Sequence, residues 1–513
     1  MTKTIVSRSV LMACTAFAAL AAPGAMAQDG DELAAIVERL DRLERENSEL
    51  RAEVEALRNT DAAAPAQPRV TTTVAAAGPQ ATGIAPTVDE VAGDSDPQIV
   101  GVAPDYGFAM LDHAESVNTK PLLQLRAIAD GTLDDTVTFS GSVTAIVNYQ
   151  NSNIDDTFGY LMRHPTGANQ NGKHVSEAVL HSAQLAFTAR LADGFTGYAE
   201  LLYDPQQSFG TGTITTLTRN QVQLRRGWVM VGDLERSPAY ALLGKMDIPF
   251  GLQDTVSPFT NSTNWHAFAG LAYGAQVGYY ADGLSLRGMA IQGGAQFRGA
   301  NAPVNGTAIP SRLNNFAVDA SYEAEFAPRY RVRFGGSYQH ATAYCQGYPV
   351  FHFNPCEEPN GAWAAYGKAD LEDLTLLGEL ARTTDIWKGT AVPDPTNPLS
   401  EFEAVKVTSF TFGGRYGFGA NEEDQARHEF AVSAEFSRFI AGDDGSPWEA
   451  QSQFVAGLSW FPVSNVNLFG EFIRADGFVP LNFLSGGNLP GGATWSRQDA
   501  LTNVLLFGME GSF

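Results

Sequence analysis

The sequence lacks any run of eighteen or more apolar residues outside its amino-terminal 27 residues, which excludes membrane-spanning helices from the rest of the chain. Basic residues are also scarce: 33 Lys and Arg stand against 57 Asp and Glu, a formal net charge of −24. Nucleic-acid binding needs a basic surface, so no nucleic-acid partner is expected. Charged residues make up only 18% of the 513 residues, while Phe (31) and Gly (51) are abundant. That composition favours short strands with aromatic girdles over helices.

The sequence also lacks the GxSxG, HExxH and Walker motifs, so no enzymatic activity, cofactor or metal is predicted. Only three cysteines occur, and Cys14 lies in the leader described below. Cys345 and Cys356 share one Pro/Gly/aromatic loop. A disulfide between them is favoured over two free thiols because an exported chain meets oxidising conditions. A metal site completed by His352 is a third interpretation, which no CxxC spacing supports.

The amino-terminal part of the chain predicts export followed by self-association. Residues 1–27 read as a signal peptide, with a positive start, an apolar run and small residues before the cleavage point. Residues 28–58 predict an α-helical coiled coil, because apolar residues recur at spacings of three and four and the flanking charges match a parallel partner. Its core positions are Leu33, Ile36, Leu40, Leu43, Asn47, Leu50, Val54 and Leu57. A solitary amphipathic helix is the alternative, and the pattern does not choose between two strands and three.

Residues 59–130 are predicted to be a Pro/Ala-rich tether. Prolines recur between Pro65 and Pro121 and prevent a long regular element. Apolar residues return from Tyr106 to Asp130. That stretch is either a short helix at the mouth of the following domain or a segment that enters its interior.

From Thr136 onward apolar and polar residues alternate with period two, as in the stretch from Val137 to Tyr149. An apolar face opposite a polar face is what a strand between lipid and a wet interior requires. Residues 131–513 are therefore predicted to be all-β, a transmembrane antiparallel β-barrel of about 16 strands. Short turns alternate with long loops, and the long loops are predicted at 151–176, 205–219, 250–272, 294–313, 344–361, 386–400, 441–449 and 476–497. A soluble propeller or tandem sandwiches would lack the apolar-out, polar-in asymmetry.

Sixteen strands leave an aqueous channel, whereas about eight would be filled by side chains. Strand parity predicts that eight charged side chains line this channel: Lys245, Asp247, Arg225, Arg287, Asp319, Glu323, Arg331 and Arg333. Ion pairs that stiffen the wall are one interpretation of this set. A basic strip that guides anionic solutes is the other.

The chain must leave the barrel wall after Asp247, because Pro249 cannot donate to a strand ladder and Gly251 permits a sharp bend. The loop 250–272 then folds into the channel, caps the barrel from outside or clasps a neighbouring protomer; a loop's direction cannot be read from sequence. If it folds inward, its aromatic residues are candidate solute contacts at a constriction. These are Phe259, Trp265, His266 and Phe268.

The final strand has Leu505, Phe507, Met509 and Phe513 on one face, which resembles the terminal signal of bacterial outer-membrane barrels. A leader, a coiled coil, a Pro/Ala tether and such a barrel together resemble the coiled-coil-bearing outer-membrane porins. These include the DcaP-like trimeric porins and the LbtU-type siderophore porins, and the GKxxxPFG stretch from Gly244 to Gly251 is most similar to the latter.

The resemblance implies a homotrimer in the outer membrane of a Gram-negative bacterium, with its coiled coil in the periplasm. It implies contact with outer-membrane lipid and recognition of the C-terminal strand by the barrel-assembly machinery. The small-molecule solute would be an iron–siderophore or an organic acid that crosses passively. A structural anchor that tethers the envelope through the coiled coil is the alternative. A plugged, energised receptor would need a plug domain of well over a hundred residues and about 22 strands, and the sequence fits neither.

Overall fold

The structure is a computed structural model that describes residues 99–513, except 156–157, 160–171, 205–220, 294–295, 298–299, 302–311, 346–357, 388–401, 421–427, 447 and 478–499. The predicted signal peptide and coiled coil, and the tether up to residue 98, lie outside the described residues and stay predictions. Cys345 is disulfide-bonded, and Cys356 lies outside the described residues. No helix in the described part of the chain is long and apolar enough to cross a membrane.

The described chain begins with a short strand and two helices, β1 (Val100–Val102), α1 (Pro104–Leu111) and α2 (Lys120–Ala129). Strands then follow almost without interruption, with one short helix, α3 (Thr263–Phe268), between β6 and β7. Their bounds are β2 (Val137–Ser152), β3 (His174–Ala192), β4 (Phe195–Asp204), β5 (Gln221–Gly232), β6 (Ala239–Asp247), β7 (Leu271–Ala281), β8 (Leu284–Gln292), β9 (Gln296–Phe297), β10 (Ala300–Asn301), β11 (Leu313–Ala327), β12 (Tyr330–Gln339), β13 (Ala362–Leu371), β14 (Leu374–Thr383), β15 (Ala404–Ala420), β16 (His428–Gly442), β17 (Ala450–Val463), β18 (Val466–Gly477) and β19 (Ala500–Ser512).

Sixteen of these strands, β2–β8 and β11–β19, form one closed antiparallel barrel. Each strand pairs with its neighbours in the sequence, and β8 pairs with β11 across the separate β9–β10 hairpin. The ring closes where β19 pairs with β2, from Thr502 opposite Ser152 to Ser512 opposite Ser142. Strand β1 lies parallel to the start of β2. The predicted antiparallel barrel and its strand number are confirmed.

Short turns and long loops lie at opposite ends of the barrel. The β7–β8 turn consists of Asp282 and Gly283, both at positive φ (49° and 79°), a conformation that matches the twist of a two-residue hairpin. The β13–β14 turn, Glu372–Asp373, is equally short. At the other end the chain makes longer connections, and each of the eight predicted long loops falls between the expected pair of strands.

The two faces of each strand differ as the alternation predicts. On β2, Thr138, Ser142 and Asn148 are buried inside the barrel, whereas Val143 and Val147 are about half exposed on its outside. On β19, Phe507 is 65% exposed. Such a density of large apolar side chains on the outer surface is typical of a wall that meets lipid rather than water.

Strand β5 contains a bulge that places two consecutive arginines inside the barrel. Glu200 pairs with Arg226 while Leu201 pairs with Leu224, so Arg225 is the extra residue. A bulge re-aims side chains that strict alternation would separate. Arg226 is buried between Glu200, at 3.1 Å, and Asp247. Arg225 points inward as predicted, and its Nε lies 3.5 Å from Glu200.

Residues 104–130 are not part of a tether, which corrects the predicted boundary at residue 130. Helices α1 and α2 lie inside the barrel and are largely buried there. A proline in the first turn of each helix fits because the first turn's N–H groups have no partner within the helix. Of the two interpretations of this stretch, the segment that enters the interior is the one found.

Candidate functional site

The interior of the barrel is the candidate site, and its first component is the lumen segment, defined as residues 104–130. The Tyr106 hydroxyl in α1 lies 2.8 Å from the Thr188 hydroxyl on β3. In α2, the Gln124 amide group donates to Thr196 and its oxygen accepts from the Trp228 indole, both at 2.9 Å. These contacts fix both helices against the inner wall of strands β3 to β5.

A buried lysine organises the turn between the two helices. The Lys120 ammonium group donates to the carbonyl oxygens of Ala109, Asp112 and Glu115 at 2.7, 2.7 and 3.0 Å. Carbonyl groups near the end of a helix lack partners within the helix and favour a positive charge. Lys120 therefore holds the connector, residues 112–119, in one conformation.

The connector reaches across the lumen to the opposite wall. Its Glu115 carboxylate lies 3.0 Å from the Lys368 ammonium group on β13 and 2.5 Å from the Arg415 guanidinium group on β15. Burial alone would raise the pKa of Glu115, but the positive charges of Arg415 and Lys368 hold it well below its usual value. Glu115 is thus ionised and joins the lumen segment to strands far from those that hold α2.

The second component is the loop between β6 and β7, residues 248–270, which folds into the lumen. Of the three directions left open by the sequence, the structure has the inward one. Three inward-facing glutamates on β14, β16 and β18 accept hydrogen bonds from its backbone. Glu379 accepts from Leu252 and Gln253 at 2.9 and 3.0 Å. Glu471 accepts from Phe259 and Thr260 at 2.8 and 3.0 Å.

Glu435, on β16 between these two, accepts from the Val256 amide at 3.0 Å and from the Thr255 hydroxyl at 2.7 Å. The two intervening strands carry glycines where the loop lies against the wall. A Cβ atom at Gly413 would lie 2.6 Å from Val256, and one at Gly457 would overlap Pro258. Across the five adjacent strands β14 to β18, a glutamate that accepts hydrogen bonds from the loop alternates with a glycine that leaves room for it. We call this set the loop track: Glu379, Gly413, Glu435, Gly457 and Glu471.

The lumen segment and the inward loop also contact each other. The Thr255 amide donates to the Ala114 carbonyl at 2.9 Å, and the Val117 amide donates to the Asp254 carboxylate at 3.1 Å. A His113 ring nitrogen lies 2.7 Å from the Phe259 carbonyl oxygen. Together the two segments form a continuous layer from the β3–β5 wall to the β13–β18 wall.

A cavity of about 660 Å³ lies between this layer and the short-turn end of the barrel. Its wall carries both positive and negative side chains. Two of the positive ones, Arg333 and Lys368, lie opposite each other on the adjacent strands β12 and β13. The other charged residues that line it are Asp112, Glu115, Arg126, Asp254, Glu323, Glu325, Arg329, Arg331, Asp370, Glu372, Asp373, Arg415 and Glu510. An interior of this kind can bind or pass a small charged solute.

Seven of the eight predicted pore-lining charges face the interior, and most of them form ion pairs. Arg287 and Asp319 form a buried pair at 2.6 Å. Arg331 lies 3.6 Å from Asp370, and Glu323 lies 3.8 Å from Arg126. Arg333 and Glu323 are cross-strand partners, as are Arg331 and Glu325.

Lys245 is the exception, and its predicted inward direction is wrong. It pairs in register with Tyr273, whose ring is 48% exposed on the outer face, and its ammonium group lies 6.0 Å from that ring. Strand parity puts Lys245 and Asp247 on the same face, but only Asp247 turns inward, where it pairs with Arg226. The Lys245 ammonium group donates to the Leu224 carbonyl oxygen at 2.9 Å.

The aromatic residues of the loop hold it in place and leave little surface for a solute. Phe259 is fully buried and stacks on Phe469 at a centroid distance of 5.3 Å. His266 and Phe268 are also buried, and Trp265 is partly buried against His266. The predicted role of these four rings as solute contacts at a constriction therefore does not fit their positions.

The contact between the loop track and the inward loop is the part of the site that strand parity did not predict. A repeated motif could have revealed it: Glu379-Leu-Ala-Arg382, Glu435-Phe-Ser-Arg438 and Glu471-Phe-Ile-Arg474. Each copy lies on an alternate strand and has an apolar residue after the glutamate. Positions three apart on a strand face opposite sides, so each motif presents its glutamate inward and its arginine outward.

No known family profile matches the chain, and no curated protein matches it either. Among solved structures, the outer membrane channel DcaP of Acinetobacter baumannii is 13% identical with a TM-score of 0.43, covering 74% of this chain and 97% of its own. The anion-selective porin from Comamonas acidovorans is 13% identical, TM-score 0.45, covering 74% and 99%. OprB of Pseudomonas putida is 11% identical, TM-score 0.45, covering 78% and 99%. With identities of 11–13% and TM-scores of 0.43–0.45, the similarity to these three structures adds nothing to the architecture described above.

Proposed function

We propose that the chain is a channel for small solutes in the outer membrane of a Gram-negative bacterium. The observation that carries the proposal is the closed sixteen-stranded ring with an apolar outer face and a charged, hydrogen-bonding interior. A closed barrel satisfies every backbone group of its wall without water, which a strand-based membrane protein requires. A ring of this size encloses more space than its own side chains fill.

The lumen segment and the inward loop make this a narrow channel. They occupy part of the lumen, and the charged cavity extends to residues of the short turns such as Arg329 and Asp373. We infer that solutes pass beside the Glu115 bridge, where Lys368, Arg415 and Arg333 form the basic side of the passage. A small organic acid fits this basic side, and an iron–siderophore is the other solute class that we propose to test.

A second function, a non-conducting anchor, is favoured by one observation. The layer formed by residues 104–130 and 248–270 contacts opposite walls of the barrel, so passage depends on the space beside it. In that case the barrel would hold the amino-terminal segment at the membrane and transport nothing.

The deciding experiment is electrical recording from the full chain in planar bilayers. The channel proposal predicts stepwise conductance, with three equal closing steps if the protein is a trimer through its predicted coiled coil. A variant that lacks residues 104–130 should conduct more per step. Silent bilayers from folded, heat-modifiable protein of both kinds would overturn the channel and favour the anchor.

The same recordings test the solute and the oligomer. The reversal potential in a salt gradient, with organic acids or iron chelates added, separates anion preference from cation preference and from specific block. Removing residues 31–58 should weaken trimer assembly without abolishing conductance. Unchanged assembly would show that the barrel contacts suffice.

A further inference from the structure

The arginines of the three repeated motifs face away from the channel and have no role in the proposed passage. Arg382, Arg438 and Arg474 lie on β14, β16 and β18, and each follows an inward glutamate by three residues. Their outward direction follows from register and burial: the residues next to them in the strands, such as Ala381, Phe439 and Ile473, are fully buried inside. The arginines themselves are exposed or partly exposed.

The three arginines lie at one level of the barrel. Arg382 is eight residues beyond Leu374, the first residue of β14, and Arg474 is eight beyond Val466, the first of β18. Arg438 is ten beyond His428, the first of β16. With a rise of about 3.3 Å per residue and a strand tilt of about 40°, this places them roughly 20–25 Å from the short-turn end. An apolar band about 25 Å tall spans an outer membrane, so the arginines lie at its edge on the long-loop side.

The surface beside and below the arginines is aromatic and apolar, and Phe454 is the cross-strand partner of Arg474. Phe412 is 58% exposed, and Phe454 and Phe472 are about 40% exposed. Phe436 contacts Phe412 at a centroid distance of 5.5 Å. This surface suits the acyl chains of lipids, and the arginines stand where acyl chains meet head groups.

Within the described residues, no carboxylate forms a salt bridge with any of the three arginines. Arg438 donates to the Ser452 hydroxyl at 3.4 Å, a weak neutral contact. Asp476 lies on the same face as Arg474, two residues nearer the long loops. A charge near lipid is costly unless it reaches water or an anion, and three such charges repeated at one level favour an anion.

We propose that Arg382, Arg438 and Arg474 form a binding rim for the phosphate groups of an anionic glycolipid in the leaflet on the long-loop side. The guanidinium group is planar, always charged and donates in a fork that matches phosphate oxygens. The phenylalanines below would contact the acyl chains of the same molecule. The inference rests on the proposed membrane location, because the occupant is a lipid of that membrane.

The test measures lipid binding to the full chain in detergent by native mass spectrometry, with bisphosphorylated lipid A and its dephosphorylated form as probes. Three variants are compared with the parent: the triple R382Q/R438Q/R474Q, the triple with lysines at the same positions, and K245Q as the control. Lys245 is also an outward cation near the long-loop end, but it lies on β6, away from the rim. The heat-modifiable shift on gels shows that each variant is folded.

The parent should bind the phosphorylated lipid at least about tenfold more tightly than the dephosphorylated one, because each interfacial cation adds to the attraction. The glutamine triple should lose that preference, the lysine triple should keep part of it, and K245Q should keep all of it. The proposed rim would be contradicted if the parent bound both lipids equally tightly. It would also be contradicted if the glutamine triple kept the full preference for the phosphorylated lipid. If the glutamine triple does not fold, the single variants decide, each with a several-fold loss expected.

The conductance of the same variants separates this inference from the proposed channel. The arginines face away from the lumen, so the glutamine triple should conduct as the parent does. Silent bilayers from the parent would overturn the channel while its lipid preference remained measurable. Loss of the preference with conductance intact would be the outcome specific to the rim.

Discussion

Glu435 on the barrel wall lies 2.7 Å from the hydroxyl of Thr255, which belongs to the loop that crosses the lumen. The same carboxylate accepts from the next backbone amide along the loop, that of Val256. Neither partner is close to Glu435 in sequence, and both are buried. One wall residue thus holds one turn of the loop, and Glu379 and Glu471 hold the turns before and after it.

Replacing Glu435 by Gln should loosen the inward loop. The glutamine amide group would face donors, so at least one buried N–H or O–H group loses its acceptor at a cost of about 1–3 kcal/mol. We expect a lower temperature of gel-shift conversion and noisier single-channel current. Glu325→Gln is the matched control, because Glu325 is exposed at the short-turn end of β11. Equal effects of the two substitutions would show that the contact with Thr255 does not hold the loop.

A valine at Gly457 should push the loop away from the wall. Its side chain would occupy the position of Pro258, whereas a side chain at Gly378 on the outer face of β14 would meet nothing closer than 3.9 Å. We therefore expect Gly457→Val to change the unit conductance and Gly378→Val to leave it unchanged. A folded Gly457→Val barrel with the parent's conductance would contradict the role of the track.

Glu115→Gln should shift the ion preference of the channel toward anions. The substitution removes the carboxylate that neutralises Lys368 and Arg415 and leaves both cations facing the passage. The reversal potential in a salt gradient measures the shift. Glu325→Gln also removes one negative charge from the cavity but frees neither cation, so its shift should be smaller.

Arg226→Ala should destabilise the barrel more than Arg225→Ala. Arg226 is the more deeply buried of the two and bridges Glu200 and Asp247, so its loss leaves buried carboxylates with less compensation, at a cost of about 3–5 kcal/mol. Arg225 is partly exposed and lies farther from Glu200. Thermal conversion of the folded band on gels compares the two variants. The reverse order would mean that Arg225 can take over the pairing.

The wall of the barrel could be predicted from the sequence because the alternation of apolar and polar residues along a strand shows which side chains face lipid and which face the interior. Alternation placed Thr138 and Asp319 inside and Val143 and Phe507 outside, and the turns and loops fixed the strand number. Strand parity was a poorer guide near the end of β6. It placed Lys245 inside together with Asp247, but only Asp247 pairs with an inward residue, Arg226, and Lys245 lies beside the outward Tyr273.

The contents of the lumen could not be predicted in the same way. The apolar residues of α1 and α2 indicate helices that need a partner, but sequence does not name the partner, which proved to be the inner wall near Thr188 and Trp228. The direction of the 248–270 loop depends on acceptors such as Glu379, more than a hundred residues away. The repeated glutamate–arginine motif is visible in the sequence. Its interpretation depends on knowing that the inward loop lies against the inner face of these strands, where the glutamates are, and that the arginines lie on the outer face.

Helix α1 lies directly behind the seam where the barrel closes. A Cβ atom at Gly107 would come within 2.5 Å of the Phe513 carbonyl oxygen, and Gly141 on β2 exchanges backbone hydrogen bonds with Phe513. The chain leads from this helix into β2, the strand that must find β19 for the ring to close. The β2–β19 pair thus closes the ring around a helix that the chain connects to β2 through α2, so the ring in this arrangement cannot close without that helix inside it.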